Sequence, residues 1–118
     1  MLISFRHAAR GVATLVATQP NARIHLAITA AIGIVGSFLD LSPGDWCWLV
    51  SAAAMVWTAE AMNTAVELLG DVACGGEPHP IVGRAKDVAA AGVLLAAMGA
   101  ALIGVIILLP PVVENVRR

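Results

Sequence analysis

Three long apolar segments, separated by short polar turns, dominate the pattern along the chain. They cover about residues 24–41, 46–73 and 84–109. Strong turn or stop signals follow them at Ser42–Asp45, Gly75–Gly76 and Pro110–Pro111, and we expect the prolines to limit the third helix. Because a spanning helix needs about 20 apolar residues, with a lower limit of about 17, the pattern predicts three membrane helices.

The first 18 residues have a different pattern. Apolar residues recur there at helical spacing, while Arg6, His7 and Arg10 lie largely on the other side of the helical wheel. This amphipathicity predicts a helix over about residues 2–18 that lies in the membrane interface, with a frayed leader as the alternative. The chain is therefore expected to be an all-α membrane protein, with one interfacial helix followed by three transmembrane helices.

Composition supports a small membrane protein and narrows its partners. The 118 residues are 59% hydrophobic and 13% charged, whereas an ordinary soluble domain carries about 25% charged residues. We expect one domain over residues 1–118. A net charge of -1 without a basic run argues against nucleic-acid binding. Cys47 and Cys74 show no metal-ligand spacing.

Basic residues predict the orientation. They occur before the first apolar segment, at Arg6, Arg10 and Arg23, and in the loop before the third, at Arg84 and Lys86. The turn between the first two segments has none. The positive-inside rule then places the N-terminus and the second loop of a multi-pass protein in the cytoplasm, and it outweighs Arg117 and Arg118 at the end of the chain, which go against it.

The second segment carries a polar stripe, defined as Glu60, Asn63, Glu67 and Asp71. At helical spacing these side chains fall within an arc of about 80°. Residues 46–59 before them contain no charge. A carboxylate at the bilayer centre costs about 2.5–3.5 kcal/mol, so such residues usually mark function. Counted from the outer end, Glu60 lies roughly 22 Å deep, inside a hydrocarbon core of about 30 Å, and the other three lie nearer the cytoplasm.

This stripe and the loop after it allow phosphoryl transfer, among other functions. Shallow carboxylates suit Mg²⁺, and a deeper one suits a base for a buried hydroxyl. Lys86, the one lysine in the sequence, lies at the start of the third helix, where backbone amides favour anions. An ion or proton path and polar contacts between helices of an assembly explain the stripe equally well from the residues alone.

Two motifs make the sequence similar to a known family. Glu60-Ala61-Met62-Asn63-Thr64-Ala65-Val66-Glu67 and Gly83-Arg84-Ala85-Lys86-Asp87 closely resemble the prokaryotic diacylglycerol kinases, which include undecaprenol kinases. The resemblance implies a homotrimeric lipid kinase with active sites between protomers at the cytoplasmic membrane face. It implies transfer of the γ-phosphoryl group of Mg-ATP to diacylglycerol or undecaprenol. The alternatives are an ion or proton conduit and a catalytically silent scaffold.

The same resemblance implies roles for individual residues. Glu60 is similar to the general base, and Glu67 to a Mg²⁺ ligand. The nucleotide-binding residues implied by the motifs are Asn63, Glu67, Asp71, Lys86 and Asp87. Gln19 stands where the family commonly has a metal-binding Glu, so a neutral amide replaces one charge. Arg23 and Arg84 are weaker candidates for contact with phosphate or substrate. The alternative for Arg23 is a charge at the membrane interface that only helps to set the orientation of the chain.

Overall fold

Four helices and no strand make up residues 2–117, the part of the chain that this computed structural model describes. The helices are α1 (Leu2–Thr18), α2 (Pro20–Ser37), α3 (Pro43–Cys74) and α4 (Pro80–Val116). The prediction of an all-α fold with an N-terminal helix and three further helices is confirmed at this level.

The protomer is elongated, with extents of 60 × 36 × 21 Å. α3 and α4 form the main packed pair, α2 packs on α3, and α1 contacts both α2 and α3. α3 has 32 residues, so at about 1.5 Å per residue it is longer than a bilayer core of about 30 Å. Its C-terminal part can therefore extend beyond the hydrocarbon.

Two contacts fix α2 against α3. A Cβ atom at Gly36 would lie 2.8 Å from Cη2 of Trp46, so the bare glycine backbone makes room for the indole ring. The Nε1–H group of Trp57 donates to Oγ1 of Thr29 across 3.3 Å. Small residues and polar contacts of this kind are typical of helix packing in membranes.

The helix starts differ from the predicted boundaries. α2 begins at Pro20, four residues before the predicted position 24, because Gln19 is its extended N-cap and proline suits the first helical position. α2 also ends earlier than predicted, at Ser37. α3 begins at Pro43, so the segment predicted as a turn already contains its first residues.

A capping box explains the start of α3. Oγ of Ser42 accepts the backbone N–H of Asp45 at 3.2 Å, and Oδ2 of Asp45 accepts the backbone N–H of Ser42 at 2.9 Å. The hydroxyl of Ser42 also donates to Oδ2 at 2.7 Å. These bonds, the hydroxyl first and the backbone amide second, hold the pKa of Asp45 below its usual value.

The prediction that Pro110 and Pro111 limit the last helix is wrong. α4 begins at Pro80, ahead of the predicted residue 84, and continues through both prolines to Val116. Proline's fixed φ is compatible with helical geometry, and two adjacent prolines remove only two backbone donors. The backbone N–H of Arg117 donates to the carbonyl of Val113 at 3.3 Å, which closes the turn after the prolines.

One helix in the described residues, Pro80–Val116, is long and apolar enough to cross a membrane by length and composition. α2 and α3 carry more polar side chains within their lengths, including Arg23 and His25 in α2 and Glu60 in α3. The number of membrane passes therefore stays a prediction.

Candidate functional site

The inward face of α3 changes from apolar to polar toward its C-terminal half. Its buried residues, in order along the helix, are Leu49, Ala52, Val56, Glu60, Asn63 and Thr64. Steps of three and four residues keep them on one side of the helix. The first part of the polar stripe therefore continues the packed face of α3 and does not point away from the protein.

Glu60 is the most deeply buried charged side chain among the described residues. It is 2% exposed, and its Oε2 atom has no hydrogen-bond partner. A buried polar atom left unpaired costs about 1–3 kcal/mol, so native proteins rarely retain one without a role or a bound partner. Oε2 is thus a buried acceptor that has no partner within residues 2–117.

Asn63 and Glu67 form a pair on the next turn of α3. Nδ2 of Asn63 donates to Oε1 of Glu67 at 3.1 Å. Asn63 is 8% exposed and its Oδ1 atom has no partner, while Glu67 is half-buried. Two oxygen-bearing groups that could bind a metal ion, the Asn63 carbonyl and the Glu67 carboxylate, are therefore held together beside Glu60.

An ion pair joins α3 to α4 at the exposed end of the stripe. Nζ of Lys86 lies 2.5 Å from Oδ1 of Asp71, and their side chains are 32% and 67% exposed. The lysine stem passes over Gly70, where a Cβ atom would lie 3.0 Å from Cε of Lys86 and 2.9 Å from Cγ1 of Val82. The structure thus brings together two residues that the sequence assigned to the nucleotide.

The predicted site residues line two different grooves between α3 and α4. Asn63 and Arg84 line a groove of about 680 Å³ with mostly apolar walls, which include Met62 and Val88. Asp71 and Lys86 line a neighbouring groove of about 440 Å³ at the loop between the helices. Phosphate-binding candidates therefore occur in both grooves, Arg84 in the first and Lys86 in the second.

Two other predicted residues have different surroundings. Gln19 is half-buried at the start of α2, and its side chain makes no capping hydrogen bond. Asp87 is exposed on α4 and takes part in no ion pair within residues 2–117. In that part of the chain, no group of three or more His, Cys, Asp or Glu side chains is arranged to hold a metal ion by itself.

Arg23 has a role that neither of its predicted interpretations included. Its Nε and Nη2 groups donate to the carbonyls of Val16 and Ala17, at 3.0 and 2.7 Å. These are among the last carbonyls of α1, which have no partner within their own helix. An arginine placed shortly after a predicted helix end was the sequence signal for this contact.

Thr64 is a buried polar residue that the sequence analysis did not single out. It is 5% exposed, and its Oγ1 atom has no partner. The available signal was its position four residues after Glu60, which places both side chains on the same face of α3.

The fold is all-helical, with buried Glu60 on α3 and the basic residues Arg84 and Lys86 near the start of α4. These features agree with the class of protein that the two motifs indicated. The sequence matches the family described as "Prokaryotic diacylglycerol kinase" over residues 6–108. This chain belongs to the prokaryotic diacylglycerol kinase family, and the predicted resemblance is confirmed.

The relatives carry two different names. "Diacylglycerol kinase" of Synechocystis sp. is 39% identical over 114 residues, which cover 97% of this chain and 65% of that protein. "Undecaprenol kinase" of Bacillus subtilis is 34% identical over 107 residues, or 91% and 86% of the two chains. "Diacylglycerol kinase" of Escherichia coli is 33% identical over 75 residues, or 64% and 61%. This chain thus spans less than two thirds of the Synechocystis and E. coli proteins that it matches.

Proposed function

We propose that this chain is an integral membrane lipid kinase, which transfers the γ-phosphoryl group of ATP to the hydroxyl of a lipid alcohol. Family membership supports the kinase activity. The observation that carries the proposal is Glu60, a carboxylate that is 2% exposed and has a free oxygen on the inward face of α3. A hydroxyl among acyl chains needs a base at such a depth.

Glu60 acts as the general base in this proposal. The lipid oxygen forms a bond to the γ-phosphorus while the bond from that phosphorus to the bridging oxygen of ADP breaks. The hydroxyl proton passes to Oε2 of Glu60, the atom that has no partner within residues 2–117. Burial keeps competing water away from the base, which favours the lipid as acceptor.

The oxygen atoms beside Glu60 fit a Mg²⁺ ion. Mg²⁺ usually takes one or two protein carboxylates together with substrate phosphates, so a site without three acidic ligands is sufficient. Glu67 would hold the ion, the unpaired Oδ1 of Asn63 lies in the same turn, and Gln19 would add a neutral oxygen. When bound, Mg²⁺ neutralises phosphate charge and orients the nucleotide.

The start of α4 supplies the phosphate-binding groups. Arg84 and Lys86 are the fifth and seventh residues of α4, so their side chains supply the positive charge. At the helix start itself, His79 already accepts the N–H groups of Ile81 and Gly83. Asp71 holds Lys86 at the edge of α3. In this proposal Asp71 and Asp87 complete the nucleotide site from the cytoplasmic side, while Arg23 and Arg84 are weaker contacts to phosphate or substrate.

The proposal includes three membrane passes, a cytoplasmic N-terminus and a homotrimer in the bacterial inner membrane. Each protomer offers few polar groups for a complete ATP site, so we infer that neighbouring protomers complete it. The acceptor is diacylglycerol or undecaprenol, since relatives are named for each. Apolar groove walls discriminate weakly between acyl and prenyl chains.

Replacing Glu60 tests the proposal. Glu60→Gln keeps the size of the side chain but removes the base, so we expect kcat for lipid phosphorylation to fall roughly 10²- to 10⁴-fold. ATP binding, measured by equilibrium binding to the detergent-solubilised protein, should change little. Glu114→Gln, on an exposed residue near the end of α4, is the matched control and should keep wild-type kcat. An unchanged kcat in Glu60→Gln would exclude Glu60 as the base.

A further inference from the structure

The hydroxyl of Thr64 is buried and has no hydrogen-bond partner. Three other helical threonines of this chain behave differently. Thr18, Thr29 and Thr58 each donate to the backbone carbonyl four residues earlier, at 2.7 to 2.8 Å. That bond is a common arrangement for a helical threonine, and Thr64 does not form it. Its hydroxyl is therefore free for a different partner.

Thr64 and Glu60 lie one turn apart on the same buried face of α3, because residues four apart on a helix are neighbours. Their unpaired oxygen atoms therefore share that face, where one alcohol oxygen could form a hydrogen bond with each. An alcohol oxygen in this position would donate its proton to Oε2 of Glu60 and accept the proton of the Thr64 hydroxyl. Both protein atoms are unpaired in the structure.

Thr64 is the one member of the unpaired group that can donate. The three buried side-chain atoms without a partner are Oε2 of Glu60, Oδ1 of Asn63 and Oγ1 of Thr64. Carboxylate and amide oxygens only accept. One of the two N–H groups of Asn63 Nδ2 donates to Glu67, which turns this amide nitrogen toward the next turn of α3. An acceptor hydroxyl that gives its proton to Glu60 can therefore receive a hydrogen bond from Thr64 but not from the oxygens beside it.

We propose that Thr64 positions the acceptor lipid by donating a hydrogen bond to its hydroxyl oxygen, which directs the proton of that hydroxyl toward Glu60. This inference rests on the proposed lipid kinase function. It assigns to Thr64 the orientation of the nucleophile and leaves the proton transfer to Glu60.

Three variants test this role. Thr64→Val keeps the shape and removes the donor, Thr64→Ser keeps the donor, and Thr58→Val removes a hydroxyl that is already bonded to the Ala54 carbonyl. We expect Thr64→Val to lower kcat/KM for the lipid about tenfold or more, with KM for ATP unchanged. Thr64→Ser should stay within about threefold of wild type, and Thr58→Val should match wild type.

Thermal stability separates positioning from a structural role. Because the Thr64 hydroxyl is buried without a partner, a methyl group in its place should leave Tm in detergent unchanged or raised. A Tm that falls in Thr64→Val together with activity would assign Thr64 to folding and contradict the proposal.

Kinetic outcomes identify which claim fails. If the wild-type chain labels lipid and Thr64→Val does so equally well, the role of Thr64 is wrong and the kinase function stands. A raised KM for ATP with normal lipid kinetics in Thr64→Val would place the hydroxyl on the nucleotide and also overturn the proposal. If the wild-type chain labels neither diacylglycerol nor undecaprenol, the proposed function fails and the role of Thr64 fails with it.

Discussion

Gln19 stands immediately before α2, and its side chain takes no part in capping that helix. The family resemblance places a metal-binding Glu at this position. We therefore expect Gln19→Glu to lower the Mg²⁺ concentration needed for half-maximal activity by a few-fold, because a carboxylate adds charge to an oxygen ligand. A Mg²⁺ titration of kinase activity at fixed ATP measures the effect.

Asn21→Glu is the control for a general charge effect, because this substitution adds the same charge at an exposed position two residues further along the chain. It should leave the Mg²⁺ dependence unchanged. Equal Mg²⁺ curves for Gln19→Glu and wild type would show that the site compensates for the neutral amide or does not include residue 19.

Some pairs of side chains follow from the sequence and others do not. The bond between Asn63 and Glu67 is predictable, because polar residues four apart on a helix commonly pair. Glu60 and Thr64 have the same spacing but stay unpaired. Rotamers of buried side chains decide between these outcomes, and packing by neighbouring helices sets those rotamers, so spacing alone does not.

At the scale of the helices, the close approach of α3 and α4 depends on Gly70. A Cβ atom there would meet Cγ1 of Val82 at 2.9 Å and Cε of Lys86 at 3.0 Å. Gly70→Ala should therefore separate the helix ends and weaken the contact of Lys86 with Asp71. We expect KM for ATP to rise a few-fold and stability to fall by about 1 kcal/mol, since overcrowding outweighs the helix-propensity gain of alanine.

Thermal unfolding in detergent and ATP kinetics check this prediction. Gly11→Ala on α1 is the control, because a Cβ atom at Gly11 meets nothing within 4 Å. It should be neutral or slightly stabilising in the middle of an exposed helix. Identical Tm and KM values for the two variants would mean that the α3–α4 contact tolerates a methyl group at residue 70.

Helix identity was predictable from the sequence, but helix ends were less so. The apolar segments led to three helices after an amphipathic one, and four helices are present. Ser42 and Asp45 carry the signature of a capping box, which the turn interpretation of Ser42–Asp45 did not include. Pro110 and Pro111 misled the prediction because proline usually ends a helix but does not have to.

The whole protomer leaves much apolar surface uncovered. α2 and α4 expose large side chains such as Ile34, Leu95 and Leu102, and Phe38 just after α2 is exposed as well. An apolar groove of about 620 Å³ lies between α2, α3 and α4. Lipid and neighbouring protomers would cover such surface in the proposed trimer. The exposed apolar faces support a membrane environment and do not define the number of protomers.

Tertiary organisation was the least predictable level. Lys86 and Asp71 are 15 residues apart across a loop, and their pairing depends on how α3 and α4 cross. Neither propensity nor spacing within one helix contains that information. The motifs supplied the candidate residues, and the structure buries one of them, Glu60, within the protein. The depth of Glu60 in a membrane stays a prediction.

The central claim is that this chain is a lipid kinase, and transfer of label from ATP to lipid tests it most directly. The purified chain in mixed micelles would receive Mg²⁺ and γ-labelled ATP, with diacylglycerol and undecaprenol offered in parallel. We predict labelled phosphatidic acid, labelled undecaprenyl phosphate or both, dependent on Mg²⁺ and formed roughly 10²- to 10⁴-fold more slowly with Glu60→Gln. No labelled lipid from the folded wild-type chain with either acceptor would contradict the claim.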